Sequence, residues 1–327
     1  MARLMLPMLL LFVWPSAAQA MSALATKALC ADVEKAETHA DVAKKEAAAG
    51  EALFAERADS KKAREALATW ERSLAADANQ PELRVKLARL YYLVADGYDR
   101  LAENDDAMVE GFEKGMAHAG LALGQLNPAF KRKICSGAPL PEAVATLDKA
   151  SVPAAYWFAT HVGKYGLAKD MLEVLANKDM IYAVMEVLRK LVPDYFFFAP
   201  DRYLGGYYTK VPFPKGDPAQ ALQHFMASRR GAPKYFATYN LIAELYAPRA
   251  ISAIDPRSTQ CKVGAPKIAA EAPAPKYHPC RALFQEVLKV VLEGKNELPE
   301  IAAEQAVEQE KAKKLVKELD TFFPPLN

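Results

Sequence analysis

The chain has 327 residues, which is long enough to bury a sizeable hydrophobic core. Its 42 lysine and arginine side chains almost balance its 40 aspartate and glutamate side chains, so the protein has no strong net electrostatic field. We therefore expect neither nucleic acid nor an anionic lipid surface as a partner.

Residues 1–20 have the pattern of a secretory signal peptide. Arg3 supplies the positive start, an apolar run extends from Leu4 to Trp14, and Ala18-Gln19-Ala20 precedes the expected cleavage. The alternative is a membrane anchor, but this apolar run is too short to span a bilayer comfortably. No second run is long enough either. We expect an exported protein, cleaved after Ala20, with no stable membrane insertion.

Four cysteines follow the predicted signal: Cys30, Cys135, Cys261 and Cys280. An even number of cysteines in an exported chain indicates disulfides. Cys261 and Cys280 bracket a proline-rich loop, so we favour a Cys261–Cys280 bridge and, by elimination, a Cys30–Cys135 bridge. A zinc site with Cys261, His278 and Cys280 is the alternative, although it lacks a fourth ligand. We expect neither a metal nor another cofactor.

The first third of the sequence predicts helices, because it combines alanine, lysine and glutamate with few β-branched runs. Prolines and asparagines mark the turns between them. The predicted helices cover residues 21–56, 61–77, 81–103 and 105–126. The connection at 128–153 then contains a short helix at 141–149.

The second half begins with an aromatic helix. Tyr156, Trp157 and Phe158 are consecutive, so they cannot share one helix face, and at least one should point into a neighbouring element or a cavity. Residues 247–280 contain six prolines and predict an extended excursion without a core of its own. The last helix, 299–319, alternates acidic and basic residues, which predicts a solvated face.

A repeated pattern connects these helices. Ala221, Phe225, Ser228 and Pro233 have the spacing of the second helix of a tetratricopeptide repeat. A shift of 155 positions upstream finds eight agreeing positions in one register. The matched pairs are Ala66 with Ala221, Leu67 with Leu222, Trp70 with Phe225, Ser73 with Ser228, Leu87 with Ile242, Ala88 with Ala243, Leu90 with Leu245 and Tyr91 with Tyr246.

This repetition predicts an all-α fold of tetratricopeptide-like helix pairs, an α-solenoid, with the proline-rich loop 247–280 inserted and closed by a disulfide. Residues 21–327 are expected to form one helical domain. Because small residues alternate with large aromatics at fixed spacing, neighbouring helices can approach closely while the rings fill the gaps between them.

No catalytic constellation is visible, so we do not expect an enzyme. The five histidines lack any triad or metalloprotease pattern, and His161, on the aromatic helix, is the most notable of them. A set of tyrosine and tryptophan residues is the candidate lining of a ligand pocket, because each combines an apolar ring with one polar O–H or N–H group. Its members are Tyr156, Trp157, Tyr203, Tyr207 and Tyr208. The alternative for each is ordinary packing between helices.

The dipeptide Asp201-Arg202 has two interpretations. It could hold a ligand carboxylate, or it could cap and tether the following helix, and we favour the second.

Four further segments of the chain are distinctive. They are Tyr156-Trp157-Phe158-Ala159-Thr160, Arg202-Tyr203-Leu204-Gly205-Gly206, Gly216-Asp217-Pro218, and a C-terminal part with Glu304, Ala306, Glu310-Lys311-Ala312-Lys313-Lys314-Leu315 and Phe322. Together with the helix pairs and the export signal, these segments resemble the T-component family of TRAP transporters, called TatT. The resemblance covers roughly residues 50–323 and is most specific over 154–246.

The resemblance implies a periplasmic helical protein without a catalytic metal. It further implies association with the substrate-binding P-component of a tripartite ATP-independent transporter, a homo-oligomer, and help in transferring a hydrophobic or organic-acid ligand. The alternative is a generic periplasmic scaffold that binds a protein or peptide partner and holds no small molecule.

Overall fold

The computed structural model describes residues 21–33, 37–212 and 214–326, so the predicted signal peptide lies outside the described residues. The described chain is all helical, and its β-structure is limited to an isolated bridge between Ser258 and Lys267. The predicted all-α class is confirmed. Within these ranges no helix has both the length and the apolar character needed to cross a membrane.

The first half of the chain contains a series of helices joined by short turns. Their bounds are α1 (Ala23–Cys30), α2 (Ala40–Ala55), α3 (Ser60–Ala76), α4 (Pro81–Tyr92), α5 (Asp105–Leu126), α6 (Pro128–Cys135), α7 (Leu140–Val144) and α8 (Val152–Lys169). A π-helical segment, Leu93–Asp99, continues α4. We call it the first π segment.

The second half continues in the same manner. Its helices are α9 (Met171–Leu191), α10 (Tyr195–Lys210), α11 (Pro218–Gly231), α12 (Phe236–Leu241), α13 (Ala247–Ala250), α14 (Pro279–Glu293), α15 (Ala302–Lys317) and α16 (Leu319–Phe322). The second π segment, Ile242–Tyr246, continues α12. Short 3₁₀ turns lie at Ile251–Ala253 and Pro299–Ile301.

Polar caps explain where several helices begin. The Asp59 carboxylate accepts a hydrogen bond from the Lys61 amide, and Asn104 and Asp217 cap α5 and α11 in the same way. Asn127 ends α5 and accepts from the Phe130 amide to begin α6. Proline follows at the first position of α4, α6 and α11, where its missing N–H costs nothing.

The prediction of one long helix over residues 21–56 is wrong. α1 ends at Cys30, which is joined to Cys135, and it packs on α5 and α6, whereas α2 packs on α3. Gly120 of α5 makes this close approach possible, because a Cβ there would lie 2.6 Å from the Ala28 carbonyl oxygen. Tertiary packing on two different partners therefore overrides the helix propensity of residues 31–33 and 37–39.

The proline-rich excursion is more integrated than expected. It is joined by the Cys261–Cys280 disulfide, and Ile254 and Cys261 are buried in the same cluster as the second π segment. The Tyr246 hydroxyl also donates to the Cys261 carbonyl at 3.1 Å. The buried apolar side chains of this segment belong to a core that it shares with its neighbouring helices, which agrees with the expectation that it has no core of its own.

Consecutive helices pack side by side, as expected for helix pairs. The shift of 155 residues that relates the two repeats also holds beyond the eight matched pairs. Trp70 packs against Gly50, where an added Cβ would lie 2.2 Å from the indole. Phe225 and Gly205 lie 155 positions after Trp70 and Gly50. They pack in the same way, since a Cβ added at Gly205 would lie 2.7 Å from the Phe225 ring. Each repeat thus places a buried aromatic ring against a glycine of the preceding helix.

This arrangement predicts different effects for two adjacent glycines of α10. Gly205→Ala should lower the free energy of unfolding by about 1–3 kcal/mol, because its methyl group would overlap the buried Phe225 ring. Gly206→Ala meets only a Leu245 methyl group at 3.5 Å and should leave stability unchanged or raise it by up to about 1 kcal/mol. Guanidinium unfolding followed by circular dichroism measures both. Equal effects would contradict the packing.

Candidate ligand-binding cavity

A cavity of about 340 Å³ lies between the helices. Its walls come from α4 and the first π segment, α8, α10, α12 and the second π segment, and α15, with smaller contributions from α5 and α9. The volume falls within the range of small-molecule pockets, about 300–1,000 Å³. Both repeats contribute residues to the lining.

The predicted aromatic set lies largely at this cavity. Tyr156, Trp157, Tyr203 and Tyr207 line it. Tyr208 does not belong to the lining, since its ring stacks on the His224 ring with centroids 5.6 Å apart. The sequence patterns did not indicate four further aromatic residues of the lining, which are Tyr92, Phe112, Phe196 and Tyr235.

The aromatic rings form one connected group. Trp157 lies 5.0 Å from Tyr156, 5.2 Å from Phe196 and 5.5 Å from Tyr92, measured between ring centroids. Most of these contacts are edge-to-face or tilted, which is the preferred geometry of aromatic pairs. The group provides an apolar surface of phenol and indole rings for any molecule in the cavity.

Both π segments contribute residues to the cavity walls. Asp96 and Gly97 belong to the first, and Glu244 and Leu245 belong to the second. π-Helical turns are rare and occur frequently at functional sites. The sequence repeat that relates α4 to α12 therefore also relates two irregular turns that both line the cavity.

One wall carries a buried ion-pair network centred on Asp96. This carboxylate is 4% exposed and lies 2.5 Å from Lys164 Nζ and 2.6 Å from Lys311 Nζ, with Arg100 at 3.7 Å. Burial raises the pKa of the Asp96 carboxyl, but the charges of Lys164, Lys311 and Arg100 outweigh burial and hold that pKa well below its usual value. Asp96 is therefore ionised at neutral pH.

The other acidic side chains of the lining are also in ion pairs. Glu244 accepts from Arg100 at 2.5 Å, and Glu308 lies 2.9 Å from Lys311. Glu304 accepts from Arg57 at 2.9 Å and from Arg89 at 2.7 Å. Three of these contacts involve α15, so the prediction of a solvated charged face on the last helix is wrong for the side that carries Glu304, Glu308 and Lys311.

The first turn of α10 has an unusual backbone. Phe196, Phe197 and Phe198 have φ values of 43°, 61° and 56°, in the left-handed region that side chains other than glycine rarely adopt. Arg202 holds the turn by donating to the carbonyls of Phe197 at 2.8 Å and Phe196 at 3.3 Å. This turn directs the Phe196 ring to the cavity lining.

Asp201 and Arg202 have separate roles in this region. Asp201 Oδ1 lies 2.8 Å from His224 Nδ1, so the carboxylate links α10 to α11. That contact agrees with the tethering interpretation of the dipeptide. Arg202, in contrast, lines the cavity.

The remaining chemical candidates from the sequence are not part of the cavity. His161 is fully buried, its Nε2 lies 2.8 Å from the Ala88 carbonyl, and burial lowers its pKa to about 4. The zinc alternative is wrong, because Cys261 and Cys280 are bonded to each other and His278 caps α14. No cluster of three metal-binding side chains occurs in the part of the chain that the structure describes.

Fold and site together define an all-helical protein whose helices line an aromatic cavity with an ion-paired wall. The model of the TRAP transporter T-component family matches residues 65–251, which is more than half of the chain. The protein belongs to this family and is a component of a TRAP transporter system. No curated protein matches the sequence.

The ion-pair network predicts a difference between two lysines of α15. Lys311→Met should lower the free energy of unfolding by about 3 kcal/mol, because it removes a partner of buried Asp96 and of Glu308. Lys313→Met is the matched control, since Lys313 pairs with Glu310 alone among the described residues and does so at the surface, and it should change stability by less than about 0.5 kcal/mol. Urea unfolding measures both, and equal stabilities of the two variants would refute the role of the network.

Proposed function

We propose that this protein is the non-enzymatic, exported component that couples the substrate-binding P-component of a TRAP transporter to the transfer of a hydrophobic or organic-acid ligand. Membership of the T-component family supports the transporter association. In this proposal the protein acts in the periplasm after removal of residues 1–20, and it works as a homo-oligomer. The cavity is the place where the ligand is held.

The cavity is the observation that carries this proposal. Tyr156, Trp157, Tyr203 and Tyr207 meet there although they come from two helices separated in the chain. A tightly filled helix interface would leave no space among these rings, whereas about 340 Å³ remains open. An apolar ligand in this space would replace water on aromatic surfaces and gain the corresponding transfer free energy.

A protein scaffold without a ligand is the second candidate. Its support is a group of exposed apolar side chains where α8 meets α9: Leu167, Met171 and Leu172 are 45%, 49% and 77% exposed. Leu167 also lines the cavity, so a partner covering this group would sit at an edge of the cavity. The two candidates differ in whether the isolated protein retains a small molecule.

Native mass spectrometry of the protein purified from its periplasm is the direct test. We expect a retained apolar or carboxylate-bearing molecule that is released on unfolding. The double variant Trp157→Ala/Tyr207→Ala should lose at least about tenfold in ligand retention, because each truncation removes a buried aromatic contact. Binding to the P-component in a pull-down should persist.

Two further variants control this experiment. Tyr208→Ala removes an aromatic residue outside the lining and should retain the ligand. Ala168→Trp adds an indole to the lining without truncating a core residue, and it should exclude the ligand by filling space. An empty wild-type protein that carries only a polypeptide would favour the scaffold, and undiminished retention in Ala168→Trp would show that the ligand lies elsewhere.

A further inference from the structure

The charges of the cavity lining do not balance. Seven basic side chains line it against four acidic ones. As described above, all four acids are already in ion pairs. Among the lining cations, Lys178 also has an acidic neighbour, Asp179 at 3.3 Å. The cations left without a carboxylate within 4.0 Å in the described chain are Arg202 and Lys210.

Of these two, Arg202 is the unusual one because it is buried. It is only 5% exposed, while Lys210 is exposed to solvent. A buried charge is costly unless it is paired, and arginine cannot lose its proton in a protein. The guanidinium lies 4.5 Å from the centre of the Tyr235 ring and donates to two backbone carbonyls. Those contacts are neutral and leave its positive charge uncompensated.

Further polar groups of the lining also lack partners. The Thr160 hydroxyl and Arg89 Nε are buried and make no hydrogen bond within the described residues. Thr160 is 2% exposed and lies on the same helix as Trp157. The Arg89 guanidinium lies 5.2 Å from the centre of the Phe196 ring, and the Phe196 carbonyl accepts from Arg202. The cavity lining therefore combines one guanidinium without a carboxylate partner, Arg202, with a hydroxyl group and an Nε–H group that have no hydrogen-bond partner in the described chain.

We propose that Arg202, assisted by Thr160, binds the carboxylate of the ligand, and that the ligand is an apolar molecule with a single carboxylate group. This inference rests on the proposed function, because it assigns the ligand class of the same cavity. A guanidinium fork matches a carboxylate, and the aromatic group covers the apolar body. Arg202 is the single buried cation of the lining without a carboxylate partner in the described chain, so one carboxylate on the ligand would neutralise it.

The ligand class can be tested with a pair of probes that differ only at the head group, decanoate and decanol. Isothermal titration calorimetry at pH 7 gives the affinity of each for the purified protein after removal of any retained molecule. We expect the wild-type protein to bind decanoate at least about tenfold more tightly than decanol, since hydrogen bonds to a charged group are the stronger ones. A wild-type protein that binds both equally would overturn the inference.

The variants then locate the carboxylate. Arg202→Gln should bring the affinity ratio of decanoate to decanol close to one, while decanol binding persists. Arg230→Gln is the matched control, because Arg230 is an exposed arginine of α11 outside the cavity lining, and it should keep the wild-type ratio. An unchanged ratio in folded Arg202→Gln would show that another group binds the carboxylate.

Thr160→Val is a second test of the carboxylate site, and it is needed if Arg202→Gln does not fold. The Thr160 hydroxyl makes no hydrogen bond within the described chain, so a valine of similar shape should leave the fold intact. The ratio should fall by about fivefold, the effect of one hydrogen bond. An unchanged ratio in this variant would overturn the assignment if Arg202→Gln cannot be measured. Failure of wild-type protein to bind either probe, together with an empty cavity in mass spectrometry, would instead refute the proposed function.

Discussion

The ion pair between Lys311 and Asp96 holds the last long helix of the chain against the first repeat, and the cavity depends on this closure. α15 packs on α12, α14 and the first π segment, so it connects the two ends of the helical array. It contributes Glu304, Val307, Glu308 and Lys311 to the lining. Without α15 the repeats would present an open face at this wall, as an ordinary solenoid does.

The two repeats supply the cavity with walls of equivalent backbone but different charge. The glycine–aromatic contacts of Gly50 with Trp70 and of Gly205 with Phe225 show that the same packing device orders both repeats. Within this shared register, Arg89 corresponds to Glu244, and both line the cavity. A repeated scaffold can therefore hold an asymmetric interior, because packing positions are kept while lining positions differ.

Local patterns predicted much of this structure, whereas long-range packing explains what they missed. Helix pairs, and the aromatic residues around Trp157, follow from spacing and residue size. The role of α15 could not be predicted from its alternating charges. A helix face that points to solvent and one that pairs with buried groups can carry the same sequence of acidic and basic residues. The left-handed turn at Phe196–Phe198 was equally hidden, because no local rule places three phenylalanines there. Its cause, Arg202, acts through tertiary contacts.

The conformational cost of the left-handed turn at Phe196–Phe198 connects the turn to the cavity through Arg202. Three left-handed residues cost about 3–6 kcal/mol, and two hydrogen bonds from a charged donor return an amount of the same order. Arg202 therefore offsets the strain that aims Phe196 into the cavity, which gives the buried guanidinium a structural reason to be there. A lysine could not replace it, because a single ammonium group lacks the planar fork that serves two carbonyls and still faces the lining. The turn and the buried unpaired positive charge of the cavity thus depend on one side chain.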